Sequence, residues 1–281
     1  MRKGMPMDTT TRALVLGGGG VAGIAWETGV LAGLADAGVD VTGADRIVGT
    51  SAGSTVAAQI TSGLTLDELL RRQTDPAAQA PEIPSGVAID ELMAQWVEIY
   101  TQTSDPAEAR RKAGALALAA ATVTEERRRE VIAARLPVHE WPDRDLVVVA
   151  VDAYTGEPIL FTPRSGVNLV DAVAASCAVP CVWPPVTIGD TRYMDGGMRS
   201  SNNADLAAGH DRVLVLSPLE DPELAGQVAA LGATVEVIQP DDASRAAIGP
   251  DPLDPEVRTP SAEAGYAQGR AAAATVAALW R

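Results

Sequence analysis

Ser51 is the side chain best placed by its neighbours to do chemistry. It is the centre of Gly49-Thr50-Ser51-Ala52-Gly53, a Gly-x-Ser-x-Gly pattern. A short apolar run (46–48) precedes it and a helical run (54–61) follows. In a strand–turn–helix setting this pattern holds the serine in a tight turn with its hydroxyl projecting from the top of a sheet. Gly49 and Gly53 let neighbouring backbone pass close by without a Cβ clash. The helix that begins after Ser51 aims free N–H groups and its positive dipole end at any anion forming there. The chemistry this suits is nucleophilic attack on a carbonyl. A serine hydroxyl is a weak nucleophile until a base removes its proton, so the rest of the chain must supply a base and an oxyanion site.

The candidate base is Asp195, in Asp195-Gly196-Gly197. By itself Asp-Gly is an ordinary turn signal. As a base, Asp195 must be partly desolvated, because a solvated aspartate has a pKa of about 3.9. It must also lie within direct hydrogen-bond reach of Ser51. The chain has two histidines, His139 and His210. The order Ser51, Asp195, His210 is that of α/β-hydrolase triads. However, His210 directly precedes a strand, which in an open parallel sheet is the end away from the strand C-termini. His139 lies in a proline- and charge-rich loop. Neither histidine is expected to act. The two cysteines, Cys177 and Cys181, make no disulfide framework and lack partners for a zinc site. They read as small buried thiols, and no metal is expected.

A glycine loop, Gly17-Gly18-Gly19-Gly20-Val21-Ala22-Gly23, sits between an apolar strand (12–16) and a helical stretch (24–37). By letter, Gly18-x-Gly20-x-x-Gly23 fits the dinucleotide fingerprint. The same loop can instead present bare backbone N–H groups to an oxyanion, or be a tight turn with no ligand.

These residues need a sheet to hold them. The stretch 145–151 is almost continuously apolar, the mark of a central parallel strand. Shorter strands are expected at 157–162, 212–217 and 234–239. Helices are expected at 168–176, 221–231 and 261–280. Residues 177–185 read as rigid loop and 241–260 as proline-rich loop. The Gly265-x-x-x-Gly269 spacing admits close approach of another helix, with docking on this domain's own core favoured over dimerisation. Between residues 64 and 136 the pattern is helical and reads as an inserted cap. Leu92, Met93, Trp96, Val97 and Tyr100 form an apolar stripe there, read as core, with a greasy lid as the alternative. The charge runs 110–112 and 125–130 read as solvated helix faces. Alternating strands and helices predict a three-layer α/β sandwich, a mostly parallel central sheet flanked by helices, in one domain over residues 11–281. Residues 1–10 read as a disordered tail.

Composition narrows the partners. The 281 residues are 47% apolar but only 4% aromatic, which favours tight helix–sheet packing over an aromatic-rich binding surface. A net charge of −15 argues against nucleic acid and against attraction to anionic headgroups. Any transient membrane contact must therefore be apolar. No run approaches a membrane span and no signal peptide is read, so the expected location is cytoplasmic.

Taken together, the glycine loop, the Ser51 turn and the Asp195 turn, in that order, resemble the patatin-like phospholipase family over roughly residues 13–205. That family carries Gly-Gly-Gly-x-Arg/Lys-Gly, Gly-x-Ser-x-Gly and Asp-Gly-Gly or Asp-Gly-Ala. The resemblance implies a Ser–Asp dyad without histidine, acting without a cofactor on acyl esters of phospholipids or other lipids. By position, Ser51 is the expected nucleophile, Asp195 the expected base, and Gly18, Gly19 and Gly20 the expected oxyanion loop. Gly196 and Gly197 turn the chain past the nucleophile. The segment Ala175-Ser176-Cys177-Ala178-Val179-Pro180 resembles the wall before the family's Asp motif. One position departs: Ala22 stands where the family has Arg or Lys, leaving the oxyanion to backbone N–H groups and the helix dipole. Two other readings compete. A nucleotide-binding α/β enzyme needs an acidic ribose ligand at the end of the second strand, where Gly49-Thr50-Ser51 stands instead. A non-catalytic lipid-binding or regulatory protein of the same fold is suggested by Ala22 and opposed by the intact Ser51 and Asp195.

Overall fold

Among the described residues, 10–281, the computed structural model has eight strands in one sheet. The tail expected over residues 1–10 lies, except for Thr10, outside the described residues. In chain order, β1 (Arg12–Leu16), α1 (Gly20–Asp36), β2 (Arg46–Thr50) and α2 (Ala52–Ile60) come first. Four helices follow: α3 (Leu66–Thr74), α4 (Ile89–Thr101), α5 (Pro106–Ala119) and α6 (Glu125–Arg135). Then come β3 (Asp145–Asp152), β4 (Pro158–Phe161), α7 (Leu169–Ser176), β5 (Val186–Ile188) and β6 (Thr191–Asp195). The chain closes with β7 (Arg212–Leu216), α8 (Leu224–Ala230), β8 (Thr234–Ile238), α9 (Asp242–Ile248) and α10 (Arg258–Trp280).

Strands β3, β2, β1, β7 and β8 are parallel neighbours in that order. Their side chains alternate between faces with period two. Leu14, Leu16, Ile47, Leu146 and Val148 join the larger core, under α1, α2 and α7. Ala13, Val15, Val48, Val147 and Val149 join the opposite core, where Leu224 of α8 packs. This is the mostly parallel sheet between helices that the strand–helix alternation predicts.

The other strands matter most for function. Val148 and Val149 pair with β2 on one edge and with antiparallel β4 on the other. Ala150 and Val151 pair with β4 and with antiparallel β6. Since β4 holds one edge of β3, β6 must continue along the edge that β2 has just left. Thr50 is opposite Val149, and Asp195 is opposite Ala150. One strand thus delivers the end of β2 and the end of β6 to adjacent positions.

Helix α1 is buried from Val21 to Leu34. It can be so because α10 lies against it almost backbone to backbone. A Cβ on Gly29 would stand 2.2 Å from the Ala262 carbonyl oxygen, and one on Gly265 would stand 2.4 Å from that of Trp26. The Gly265-x-x-x-Gly269 spacing therefore serves packing within the chain.

Helices α3–α6 do not share one core of their own. Leu69 of α3 and Ile132 of α6 enter the main core. Leu92, Trp96 and Ile99 of α4 and Ala109 and Ala113 of α5 form a third cluster with Val151, Trp183 and Met194. Within the predicted α4 stripe, Leu92 and Trp96 are buried, while Val97 and Tyr100 are exposed. The buried face runs through Ile99 instead, the i, i+4, i+7 spacing of a helix. Two further elements were not expected, β5 just after the 177–185 loop and α9 within the stretch read as proline-rich loop. β5 is a three-residue partner of β6. α9 is capped by Asp241, whose carboxylate accepts the Ser244 N–H. Helix α1 also starts earlier than its apolar periodicity suggests, inside the glycine run at Gly20.

Candidate active site

Ser51 occupies the first turn after β2 with φ 50° and ψ −114°. A non-glycine residue in such a region costs about 1–3 kcal/mol and persists only where its surroundings hold it. Here they do. The Ser51 N–H donates to Ser176 Oγ at 2.9 Å, and the Cys177 thiol donates to the Ser51 carbonyl at 3.2 Å. Burial pushes the Cys177 thiol up, so it stays a protonated donor. The turn fits because Gly53 has no side chain: a Cβ there would lie 2.0 Å from the Leu16 carbonyl oxygen. Gly49 is equally confined, 2.6 Å from Ser54 Cα by the same measure.

Asp195 ends β6 directly beside it. Ser51 Oγ donates to Asp195 Oδ2 at 2.7 Å. Asp195 Oδ1 accepts the Gly197 N–H at 2.7 Å, so both carboxylate oxygens are engaged. Asp195 is 4% exposed. Burial pushes its pKa up to about 7, against the pull of the bonds from Ser51 and Gly197. Gly196 allows this approach, since a Cβ on it would meet the Val149 carbonyl oxygen at 2.2 Å.

Asn203 was not among the residues predicted for the site. It is fully buried with φ 53°. Its Nδ2 donates to Thr50 Oγ1 at 3.0 Å, to the Ser200 carbonyl at 2.7 Å and to the Gly196 carbonyl at 3.4 Å. It ties the residue before Ser51 to the residue after Asp195. Nothing in its local sequence distinguishes it from an ordinary Asn-rich turn.

The glycine loop flanks the serine: a Cβ on Gly18 would lie 3.6 Å from Ser51 Cβ. Its N–H groups are not equivalent. Gly18, expected among the oxyanion donors, already donates to the Ser201 carbonyl at 2.7 Å. Gly17 donates to the Leu216 carbonyl and to Glu27 Oε1. Burial holds the Glu27 carboxyl well above the usual range, opposed by that Gly17 bond, and Glu27 props the loop from inside the core. Ala22, at the position that departs from the family pattern, donates its N–H to the Pro252 carbonyl at 3.0 Å. Among the described residues, the N–H groups of Gly19, Gly20, Val21 and Ala52 have no partner.

A cavity of about 20 Å³ joins these parts, lined by Gly20, Val21, Ser51, Ala52, Arg128 and Leu253 among others. That is room for roughly one water. Arg128 corrects an expectation: it belongs to the run read as a solvated face, yet it is 5% exposed. Its guanidinium stacks on Trp183, 3.7 Å from the ring centroid. Arg135, on the same helix, is buried as well.

The histidines lie elsewhere. His210 Nδ1 is 3.0 Å from the Ala207 carbonyl, before the start of β7. His139 Nε2 is 3.0 Å from the Ala133 carbonyl. Neither is bonded to Ser51 or Asp195. Among the described residues no group of three or more His, Cys, Asp or Glu side chains could hold a metal ion. No helix among them is long and apolar enough to cross a membrane.

The site can be set against known proteins. In solved structures the chain is similar to VipD from Legionella pneumophila, with a TM-score of 0.50 and 14% identity, over 95% of this chain and 67% of that one. It is also similar to the type III effector protein ExoU, with a TM-score of 0.40 and 16% identity, over 95% of this chain and 53% of that one. A search among curated proteins finds no match. A family model for patatin-like phospholipase matches residues 14–208, which takes in the glycine loop, the Ser51 turn and the Asp195 turn. The chain belongs to the patatin-like phospholipase family.

Proposed function

We propose that this protein is a serine lipid-acyl hydrolase that cleaves carboxylic esters through Ser51 and Asp195. The observation that carries the reading is the 2.7 Å bond from Ser51 Oγ to a buried carboxylate whose pKa lies near neutrality. A base of that pKa accepts a proton at neutral pH and can return it. Ser51 Oγ attacks the ester carbonyl as its proton passes to Asp195 Oδ2. The protonated Asp195 then gives that proton to the departing alcohol. In the second half, Asp195 takes a proton from water as the water oxygen attacks the acyl-enzyme, then returns that proton to Ser51 Oγ as the C–O bond to the serine breaks and the acid is freed.

The tetrahedral oxyanion needs donors that are not already committed. Gly19 and Gly20 qualify, joined by Ala52 at the start of α2. Gly18 serves as structure. Each such donor is worth about 3 kcal/mol in the transition state. Residues 11–281 act as one acyl-hydrolase domain in this reading, with 64–136 as its cap and the cytoplasm as its location. A 20 Å³ cavity does not admit an ester, so residues that close it must move apart for substrate to enter.

The test is hydrolysis of short- to medium-chain p-nitrophenyl esters by wild type, Ser51→Ala and Asp195→Asn. Hydrolysis by wild type that both substitutions abolish is expected. Hydrolysis that survives Ser51→Ala would end this assignment. Silence in a folded wild type would favour a binding role.

A further inference from the structure

Three guanidinium groups meet one carboxylate, and two of them, Arg128 and Arg135, line the cavity that Ser51 lines. Glu82, with a side chain 3% exposed, accepts from Arg128 Nη1 at 2.7 Å and from Arg135 Nη2. Arg258 Nη2 stands 3.9 Å from the same carboxylate. The arginine side chains are only 7%, 7% and 8% exposed. In a chain with a net charge of −15, this buried spot carries a surplus of positive charge. Buried charge without a full complement of opposite charge is costly.

Two observations point to a ligand. Arg128 Nε is buried and has no hydrogen-bond partner among the described residues. Arg128 and Arg135 both line the cavity that reaches Ser51, and Arg135 and Arg258 line a second small cavity next to it. Glu82 also shows what a carboxylate achieves here. Its two oxygens satisfy two arginines closely and leave the third at a distance. A phosphoryl group brings three acceptor oxygens and up to two negative charges, a better match to three guanidinium forks. Glu82 is carried on residues 79–88, a stretch without helix or strand between α3 and α4. That backbone is held by few bonds, among them the Ala80 carbonyl accepting from Arg258 Nη1 at 2.9 Å.

We propose that Arg128, Arg135 and Arg258 bind a phosphoryl group carried on the acyl ester, and that Glu82 is the built-in occupant it displaces. The proposal rests on the acyl-hydrolase reading of Ser51, and it adds the charge that a preferred substrate must bear. Entry of the phosphoryl group releases Glu82 and with it the 79–88 segment, coupling recognition to opening of the cavity.

Binding is measured by thermal shift on the full Ser51→Ala chain, so hydrolysis does not intervene. The probes are inorganic phosphate, glycerol 3-phosphate, 1-octanoylglycerol 3-phosphate and neutral 1-octanoylglycerol. 1-Octanoylglycerol 3-phosphate is expected to bind at least tenfold more tightly than 1-octanoylglycerol, and more tightly than the two free phosphates. Adding Glu82→Gln is expected to tighten phosphate binding about tenfold, which a purely structural ion pair would not do. Adding Arg258→Gln is expected to weaken it about tenfold; this variant removes the arginine farthest from Glu82, should Glu82→Gln fail to fold. In wild type, kcat/KM for 1-octanoylglycerol 3-phosphate over 1-octanoylglycerol is expected to exceed ten, and Arg258→Gln to bring that ratio towards one. Equal binding of the charged and neutral acylglycerols overturns the proposal. So does binding of free phosphates alone, or phosphate affinity indifferent to Glu82→Gln in a folded chain. Hydrolysis of p-nitrophenyl esters that survives Ser51→Ala would fail the nucleophile assignment separately, because the binding arms use no turnover.

Discussion

Asp195 and Glu82 are both nearly inaccessible to water, and they have opposite characters. Burial raises Asp195 to about 7, and only neutral donors, Ser51 and Gly197, oppose it. Burial acts on Glu82 in the same direction, but the charges of Arg135 and Arg128 outweigh it and hold Glu82 at about 2. Arg128 pays for the same burial, lowered to about 10, yet stays charged at neutral pH. The difference teaches that burial alone does not make a base. A buried carboxylate titrates usefully only where the chain withholds a cation from it. Ser51, Arg128 and Arg135 line one small cavity, and the arginines bond Glu82 and not Asp195.

The comparison can be broken most forcefully at Asp195. Asp195→Asn keeps the shape and removes the proposed base, and we expect kcat to fall by about 10²–10⁴-fold. The same variant is expected to be no less stable than wild type above pH 7, where wild type must hold a buried anion. A matching loss of Tm and of activity would show instead that Asp195 is chiefly structural. The counterpart is Glu82→Gln, which leaves three buried arginines facing no carboxylate. Unfolding in urea at pH 7 should show a loss of about 3–5 kcal/mol, the usual cost of stripping one partner from a buried ion pair. A loss below 1 kcal/mol would mean that the arginines find other partners.

The pH dependences sharpen the contrast. For Asp195 the folded pKa lies above the unfolded one, so its contribution to stability is full below about 4 and is lost as pH rises through about 7. Its activity runs the other way: kcat/KM should rise about tenfold per pH unit and level off above pH 7. For Glu82 the folded pKa is depressed. Its contribution is present above about 4.5 and is lost as pH falls through about 2. An activity limb centred near pH 4 would remove the claim that Asp195 is desolvated. The smallest effect is expected at Asn203. Asn203→Ala should cost about 1–3 kcal/mol of stability by leaving Thr50 and Gly196 untied, and should reduce kcat more than it changes KM.

Much of this was legible along the chain. The glycine loop, the Ser51 turn and the Asp195 turn announce themselves because each needs residues with unusual backbone freedom at fixed spacing. β3 is equally plain, since a strand buried on both faces reads as a continuous apolar run, here from Leu146 to Val151. What stayed hidden is what depends on distant partners. Arg128 sits in a run of charges that looks like a solvated face, and only Trp183 and Glu82, 55 and 46 positions away, make it a buried cation. β5 is too short to show a period and exists because β6 pairs with it. α9 hides among prolines, marked only by its Asp241 cap. Gly18 reads like its neighbours until Ser201, far along the chain, takes its N–H.

The way β3 spans both partners has a consequence for refolding. Ser51 and Asp195 are 144 positions apart, and they meet because β2 and β6 line the same edge of one strand. The proposed dyad therefore cannot be assembled locally. Contacts between such distant segments are slow to form, since a long loop must close before they gain anything. Recovered hydrolysis after dilution from denaturant should therefore trail the return of helical signal, and can serve as a clock for the docking of β6 on β3.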